Sequence, residues 1–171
     1  MKENIILTGF MASGKSTVAA ELARISGMRL ADTDIMIERS EGKTIPQIFE
    51  EHGEEYFRDR ESEICTCAAK LEGYVISTGG GVVLREKNIE ALRRNGMVFL
   101  LDVPFEIISK RLKNARDTRP LVSNDSMEGI ERRYNDRKPF YDNCDCRVRV
   151  TEGLTAAETA EIIFKIFKGH L

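Results

Sequence analysis

Gly9-Phe10-Met11-Ala12-Ser13-Gly14-Lys15-Ser16-Thr17 decides the reading of this chain. It fits G-x-x-x-x-G-K-[ST], the phosphate-loop pattern. The apolar run Ile5-Ile6-Leu7 precedes it, and Val18, Leu22 and Ile25 follow at helical spacing. That is the strand, loop and helix context the pattern needs. Its glycines let the backbone curl so that successive N–H groups face phosphate oxygens. The helix starting near Lys15 adds the positive end of its dipole. In such a loop Lys15 reaches the β- and γ-phosphates, and the Ser16 hydroxyl holds Mg²⁺. The pattern implies a nucleoside triphosphate and leaves open what becomes of the phosphate.

Working outward, 171 residues predict one domain with a proper core. The 26 basic and 28 acidic side chains nearly cancel, so a nucleic-acid coat is not suggested. No apolar run approaches the ~20 residues of a membrane span. Met1-Lys2-Glu3 leads straight into the first strand, with no visible signal peptide, and the expectation is a cytoplasmic protein. The four cysteines form two C-x-C pairs, Cys65/Cys67 and Cys144/Cys146. On a helix, positions two apart point about 200° apart, so Cys65 and Cys67 do not readily share a metal. Reduced buried or half-buried thiols are expected.

Residues 4–8 read as a central parallel strand, continuous and apolar. Residues 15–25 read as the first helix, stopped by Gly27. Met28-Arg29-Leu30 is a short second strand that delivers Asp32-Thr33-Asp34 at its carboxyl end. Ligands gather at the carboxyl ends of strands in open parallel sheets. If that segment is extended, alternation puts Asp32 and Asp34 on one side, facing the phosphate loop. A role for Asp34 as helix N-cap is compatible with this.

Thr44-Ile45-Pro46-Gln47 predicts a capped helix start, with a break at Gly53 and a second helix over 54–71. On that helix Arg58 and Glu61 are three apart and share a face, which by spacing alone reads as a solvated surface pair. Tyr74–Ser77 is the third strand and ends in Thr78-Gly79-Gly80-Gly81, a run that permits close backbone approach of a ligand. A helix over 86–94, a strand over 97–101 and a helix after Pro104 follow. Residues 113–125 are polar, carry Arg116 and Arg119, and lack periodicity, so they read as a lid loop. A helix from about Ser126 to Arg137 is ended or kinked by Lys138-Pro139. Arg147–Val150 is a fifth strand, and a capping box at Thr155–Glu158 opens the last helix.

The sum is an α/β three-layer sandwich: a five-stranded parallel sheet with helices on both faces. The segments 33–60 and 113–125 read as substrate-binding and lid flaps of a single kinase domain over 1–171. A GTPase usually reads guanine through N-K-x-D, which the chain lacks. A motor-type ATPase usually ends a hydrophobic strand in Asp, where this third strand ends in Thr-Gly-Gly-Gly. A small-molecule kinase needs an acceptor pocket and an arginine-bearing lid, which the remaining polar residues offer.

At this point the chain resembles the shikimate kinases, nucleoside-monophosphate-kinase-like phosphate-loop enzymes. The resemblance rests on GFMASGKST at 9–17, DTD at 32–34, FRDRE at 57–61, TGGG at 78–81, TRPL at 118–121 and RKPFY at 137–141. It implies phosphorylation of the 3-hydroxyl of shikimate with MgATP, in chorismate and aromatic amino acid biosynthesis. It implies catalytic roles for Lys15, Asp34 and Arg119. Ala12, Ser13, Gly14, Lys15, Ser16, Thr17, Arg111 and Arg119 would hold the nucleotide, with Arg111 against the adenine. Asp34, Arg58, Gly79, Gly80, Gly81 and Arg137 would bind shikimate, the two arginines taking its carboxylate. Glu61 would hold Arg58, against the surface-pair reading. Ser16 and Asp32 would serve Mg²⁺. The family usually has glycine where Ala12 stands, and a methyl there calls for a negative φ. Adenine contacts around Thr151–Leu154 depart from the family pattern. A small-molecule partner and a monomer are expected. Kinases of a sugar acid or of a nucleoside monophosphate, and a non-catalytic nucleotide-binding module, are the alternatives.

Overall fold

A computed structural model describes residues 2–118 and 126–169, with the side chains of 115–118 outside the description. Five parallel strands, β1 (Asn4–Thr8), β2 (Arg29–Asp32), β3 (Tyr74–Ser77), β4 (Gly96–Asp102) and β5 (Cys146–Arg149), lie in the order β2-β3-β1-β4-β5. β1 is central because it is apolar on both faces, and every one of its residues is buried. Ile5 pairs with Val75 on one side and with Met97 on the other. Gly96 opens β4 where a β-carbon would come within 2.6 Å of the Ile6 side chain.

Among the described residues, seven α-helices flank the sheet: α1 (Lys15–Ser26), α2 (Thr33–Glu41), α3 (Ile45–Ala68), α4 (Glu86–Arg93), α5 (Phe105–Thr118), α6 (Met127–Tyr141) and α7 (Ala156–Lys168). The expected α/β architecture is the observed one. α1 and α7 pack together. The main core includes Ile5–Leu7 of β1, Leu22 of α1, Val98–Leu101 of β4 and Ile163 of α7. A second, smaller core of Ile37, Ile48 and Phe57 joins α2 to α3. It gives the 33–60 excursion apolar support of its own. The expected break at Gly53 is a kink inside α3, where φ is 79° and ψ is 177°.

Three local expectations are corrected. Asp34 is not on an extended segment: β2 runs two residues further than expected, to Asp32, and Asp34 lies in the first turn of α2. The N-cap is Asp32, whose Oδ1 accepts from the Asp34 and Ile35 amides at 2.9 and 3.3 Å. Residues 113–118 are not a loop but the end of α5. Exposed Lys113 and Asn114 continue it without apolar periodicity, because this part of the helix faces solvent. The remaining lid residues, 119–125, lie outside the described residues. Finally, α6 does not stop at Lys138 but continues to Tyr141 with Pro139 inside it. Pro139 sits in the last turn, and both it and Asn135, whose carbonyl loses its partner, are exposed to water.

Cys65 is buried and Cys67 exposed on α3, as residues two apart on a helix should be. Cys144 and Cys146 are half-buried. No described helix is long and apolar enough to cross a membrane.

Candidate active site

The carboxyl ends of β1, β2 and β3 open onto one cleft of about 310 Å³, lined by Met11–Thr17, Asp32, Asp34, Ser77, Thr78 and Gly80. Of the residues singled out in the sequence, Ala12, Ser13, Gly14, Lys15, Ser16, Thr17, Asp32, Asp34 and Gly80 thus meet in one place. Gly14, at φ 90°, is the N-cap of α1, so the helix begins at Lys15 and its free amides face the loop. The Lys15 ammonium donates to the Gly9 and Phe10 carbonyls at 2.6 and 3.0 Å and to the Ser13 hydroxyl at 3.3 Å. Burial pulls its pKa down to about 8, against the raising influence of Asp34 and Asp32.

Ala12 departs from expectation. Its φ is 57°, and it is the one non-glycine residue at positive φ among those described. The loop therefore keeps the left-handed turn that suits glycine, with a methyl on it, at a cost on the order of 1–2 kcal/mol. Part of what holds it is visible: Nη1 of Arg111 on α5 donates to the Ala12 carbonyl at 3.0 Å. Arg111, Ala12, Gly14, Thr17, Val150 and Leu154 line a second cleft of about 360 Å³ on the other side of the loop. Leu154 brings the Thr151–Leu154 turn to this cleft.

Asp34 is held by its place at the N-terminus of α2. Burial pushes its carboxyl up to about 6, with the Asp32 carboxylate adding to the shift and Lys15 opposing it. Beneath it lies Gly79, where a β-carbon would stand 2.5 Å from Oδ1 of Asp34. The Gly79 amide donates to the buried Thr33 hydroxyl at 3.0 Å. Thr78 anchors the same loop to β1 through its hydroxyl, 2.8 Å from the Leu7 carbonyl.

Arg58 and Glu61 overturn the surface-pair reading. Their side chains are 10% and 1% exposed, and Nη1 of Arg58 donates to Oε2 of Glu61 at 2.8 Å. Burial raises the Glu61 pKa, and the Arg58 charge opposes that rise. The Arg58 guanidinium fills the space over Gly81. Arg137 reaches in from α6, its Nη1 3.8 Å from where a Gly80 β-carbon would be. Its pKa is lowered chiefly by burial. Arg58, Gly79, Gly80, Gly81 and Arg137 therefore form a basic pocket beside Asp34. Arg119 lies outside the described residues.

Sequence reasoning missed three residues here. Thr33 was overlooked between two aspartates, Thr78 before three glycines, and Tyr141, four residues beyond Arg137, at the end of a motif quoted for its arginine. The i, i+4 spacing on one helix face was the available signal for Tyr141.

A five-stranded parallel sheet with a phosphate loop after its central strand, and an acid and two arginines across the cleft, defines a small phosphate-loop kinase. The family model "Shikimate kinase" matches residues 11–168. The shikimate kinase of Caldicellulosiruptor bescii is 47% identical over 165 residues, covering 96% of this chain and 95% of that protein. Among solved structures, the shikimate kinase of Acinetobacter baumannii in complex with shikimate aligns with a TM-score of 0.88 at 30% identity, over 99% of this chain and 95% of that one. That of Aquifex aeolicus aligns at 0.80 and 34%, over 98% and 97%. The chain belongs to the shikimate kinase family.

Proposed function

We propose that this chain transfers the γ-phosphoryl group of ATP to the 3-hydroxyl of shikimate, giving shikimate 3-phosphate and ADP, in the biosynthesis of chorismate and the aromatic amino acids. The observation that carries the reading is the juxtaposition of the phosphate loop with Asp34 and with the Arg58–Arg137 pocket over Gly79–Gly81. A triphosphate and a small hydroxylated anion are what such a pair of subsites recognises. We extend the reading to a single kinase domain over 1–171, with 33–60 binding substrate and 113–125 acting as lid, working as a cytoplasmic monomer on small molecules.

In this reading the amides of Ala12–Thr17 and the start of α1 cradle the phosphates. Lys15 and Arg119 stabilise charge on the moving phosphoryl group, where arginines can be worth ~10³-fold or more in rate. Arg111 lies against the adenine, and the Val150–Leu154 wall completes that cleft. Arg58 and Arg137 take the shikimate carboxylate, which suits the planar guanidinium fork. Asp34 binds ring hydroxyls and orients the attacking 3-hydroxyl. The largely dissociative transition state leaves a base little to do early on.

Ser16 and Asp32 offer only oxygen donors, a hydroxyl and a carboxylate, as Mg²⁺ prefers. Asp32 uses Oδ1 to cap α2, has a second carboxylate oxygen and lines the same cleft as Ser16, so the pair fits the ion. When bound, Mg²⁺ supplies charge neutralisation between the phosphates.

A coupled ADP-release assay across shikimate, gluconate and the nucleoside monophosphates tests the function. Turnover with shikimate is expected; turnover with gluconate and none with shikimate would overturn it.

A further inference from the structure

Tyr141 closes α6 with its ring in the main core and is 6% exposed. Its hydroxyl is the one polar group on that buried ring. The hydroxyl donates to the Gly80 carbonyl at 2.6 Å. The Arg137 guanidinium, one helical turn earlier on α6, interacts electrostatically with the same hydroxyl. One oxygen thus ties the middle of the Thr-Gly-Gly-Gly loop, at the end of β3, to α6, beside an arginine more than fifty residues away in the chain. Burial pushes the hydroxyl up to about 12, so it stays a donor at all working pH values.

Both partners belong to the basic pocket. Gly79 is held from the α2 side by Thr33, and Gly81 is covered by Arg58. Gly80 is fixed on the α6 side by Tyr141. An unrestrained arginine carries rotamer entropy that binding must remove. Holding it beforehand lowers the ordering cost.

We propose that Tyr141 is a positioning residue for the acceptor: it fixes the Gly80 peptide beside the Arg137 guanidinium, so that the substrate's carboxylate and ring meet guanidinium and backbone in a fixed register. This rests on the shikimate reading of the pocket. In this role Tyr141 acts on the substrate through Gly80 and the neighbouring Arg137.

Tyr141→Phe keeps the ring in the core and removes only the joining oxygen. Its KM for shikimate rises about 5- to 10-fold, the loss expected for hydrogen bonds of this kind, while kcat and the KM for ATP stay within about twofold. The control is Tyr134→Phe on the same helix, which loses an equivalent bond to the Val103 carbonyl, 3.0 Å long. It leaves the shikimate KM unchanged. In an Arg137→Ala background the effect of Tyr141→Phe shrinks, because its partner is gone. An unchanged shikimate KM, an equal rise in both KM values, or full additivity with Arg137→Ala overturns the proposal. If Arg137→Ala weakens shikimate while Tyr141→Phe is silent, only the positioning role falls. If Arg137→Ala leaves shikimate affinity intact, the pocket reading falls and the positioning role with it.

Discussion

Gly81 and Arg58 share one volume: a β-carbon on Gly81 would stand 2.1 Å from Nη1 and 2.6 Å from Cζ of Arg58. The glycine is needed here by a side chain of the protein itself, before any ligand arrives. Gly81→Ala therefore moves the guanidinium off its seat on Glu61. Shikimate affinity is expected to fall about 10- to 100-fold, the range for a lost hydrogen bond to a charged group. ATP affinity stays near its native value. Titration of each ligand separately checks this.

Glu61 is the other half of that seat. Glu61→Ala leaves the buried Arg58 charge with only exposed Glu54, 3.4 Å away, and costs up to about 3–5 kcal/mol of stability. Glu61→Gln keeps a hydrogen-bond acceptor without the charge and costs less. Urea unfolding of the two variants ranks them; equal stability of Glu61→Ala and the native chain would refute the burial argument.

Asp34 titrates against its surroundings. Its folded pKa of about 6 lies above the 3.8 of the free side chain. The folded state therefore binds the proton more tightly, and the associated stability is present below about pH 4 and lost as pH rises through about 6. The cost at neutral pH is up to about 3 kcal/mol. Asp34→Asn removes it, so the variant is expected to melt higher than the native chain at pH 7 and near it at pH 4. The same substitution abolishes most phosphoryl transfer. Calorimetry at the two pH values, alongside the ADP-release assay, measures both effects.

The free protein carries two titrating groups in the cleft, Asp34 at about 6 and Lys15 at about 8. Both roles need the charged form, so kcat/KM should rise through about pH 6 as Asp34 ionises and fall above about pH 8 as Lys15 is neutralised. Asp34→Asn should flatten the acid limb of whatever activity remains.

Ala12 at φ 57° is strained where glycine is not. Ala12→Gly relieves roughly 1–2 kcal/mol and gives back roughly 0.4–1 kcal/mol through the looser unfolded chain. The net is a gain of up to about 1.6 kcal/mol, at about 2–4 °C in Tm per kcal/mol for a chain of this size. Ala12→Val, β-branched at positive φ, should melt well below both. A drop in Tm for Ala12→Gly would show that the loop does not hold this conformation in solution.

The sheet was legible because parallel strands buried on both faces leave continuous apolar runs, as Ile5-Ile6-Leu7 and Val98-Phe99-Leu100-Leu101 do. The phosphate loop was legible because strand, glycines, lysine and helix follow in order. Arg58 and Glu61 were not, because i, i+3 spacing says two residues share a helix face and nothing about what covers it. The cover comes from Gly81, some twenty residues on. Asp34 was placed on a strand because Asp32 and Asp34 look interchangeable in sequence, and only one of them caps the helix. The start of the expected loop was misread because exposed Lys113 and Asn114 give no apolar period to detect. The φ of Ala12 is set by its loop and by Arg111, and no local preference of alanine reports it.

Lys15 closes on its own loop, with three acceptors already in place at the Gly9 and Phe10 carbonyls and the Ser13 hydroxyl. On the role proposed for it, an arriving nucleotide trades those partners for phosphate oxygens, so the ammonium changes company and is never stripped bare. The same trade runs backwards once the γ-phosphoryl has gone. Spent ADP competes with carbonyls of the protein for the lysine, and those carbonyls help to evict it. A loop whose lysine had no such refuge would grip its product harder and turn over more slowly.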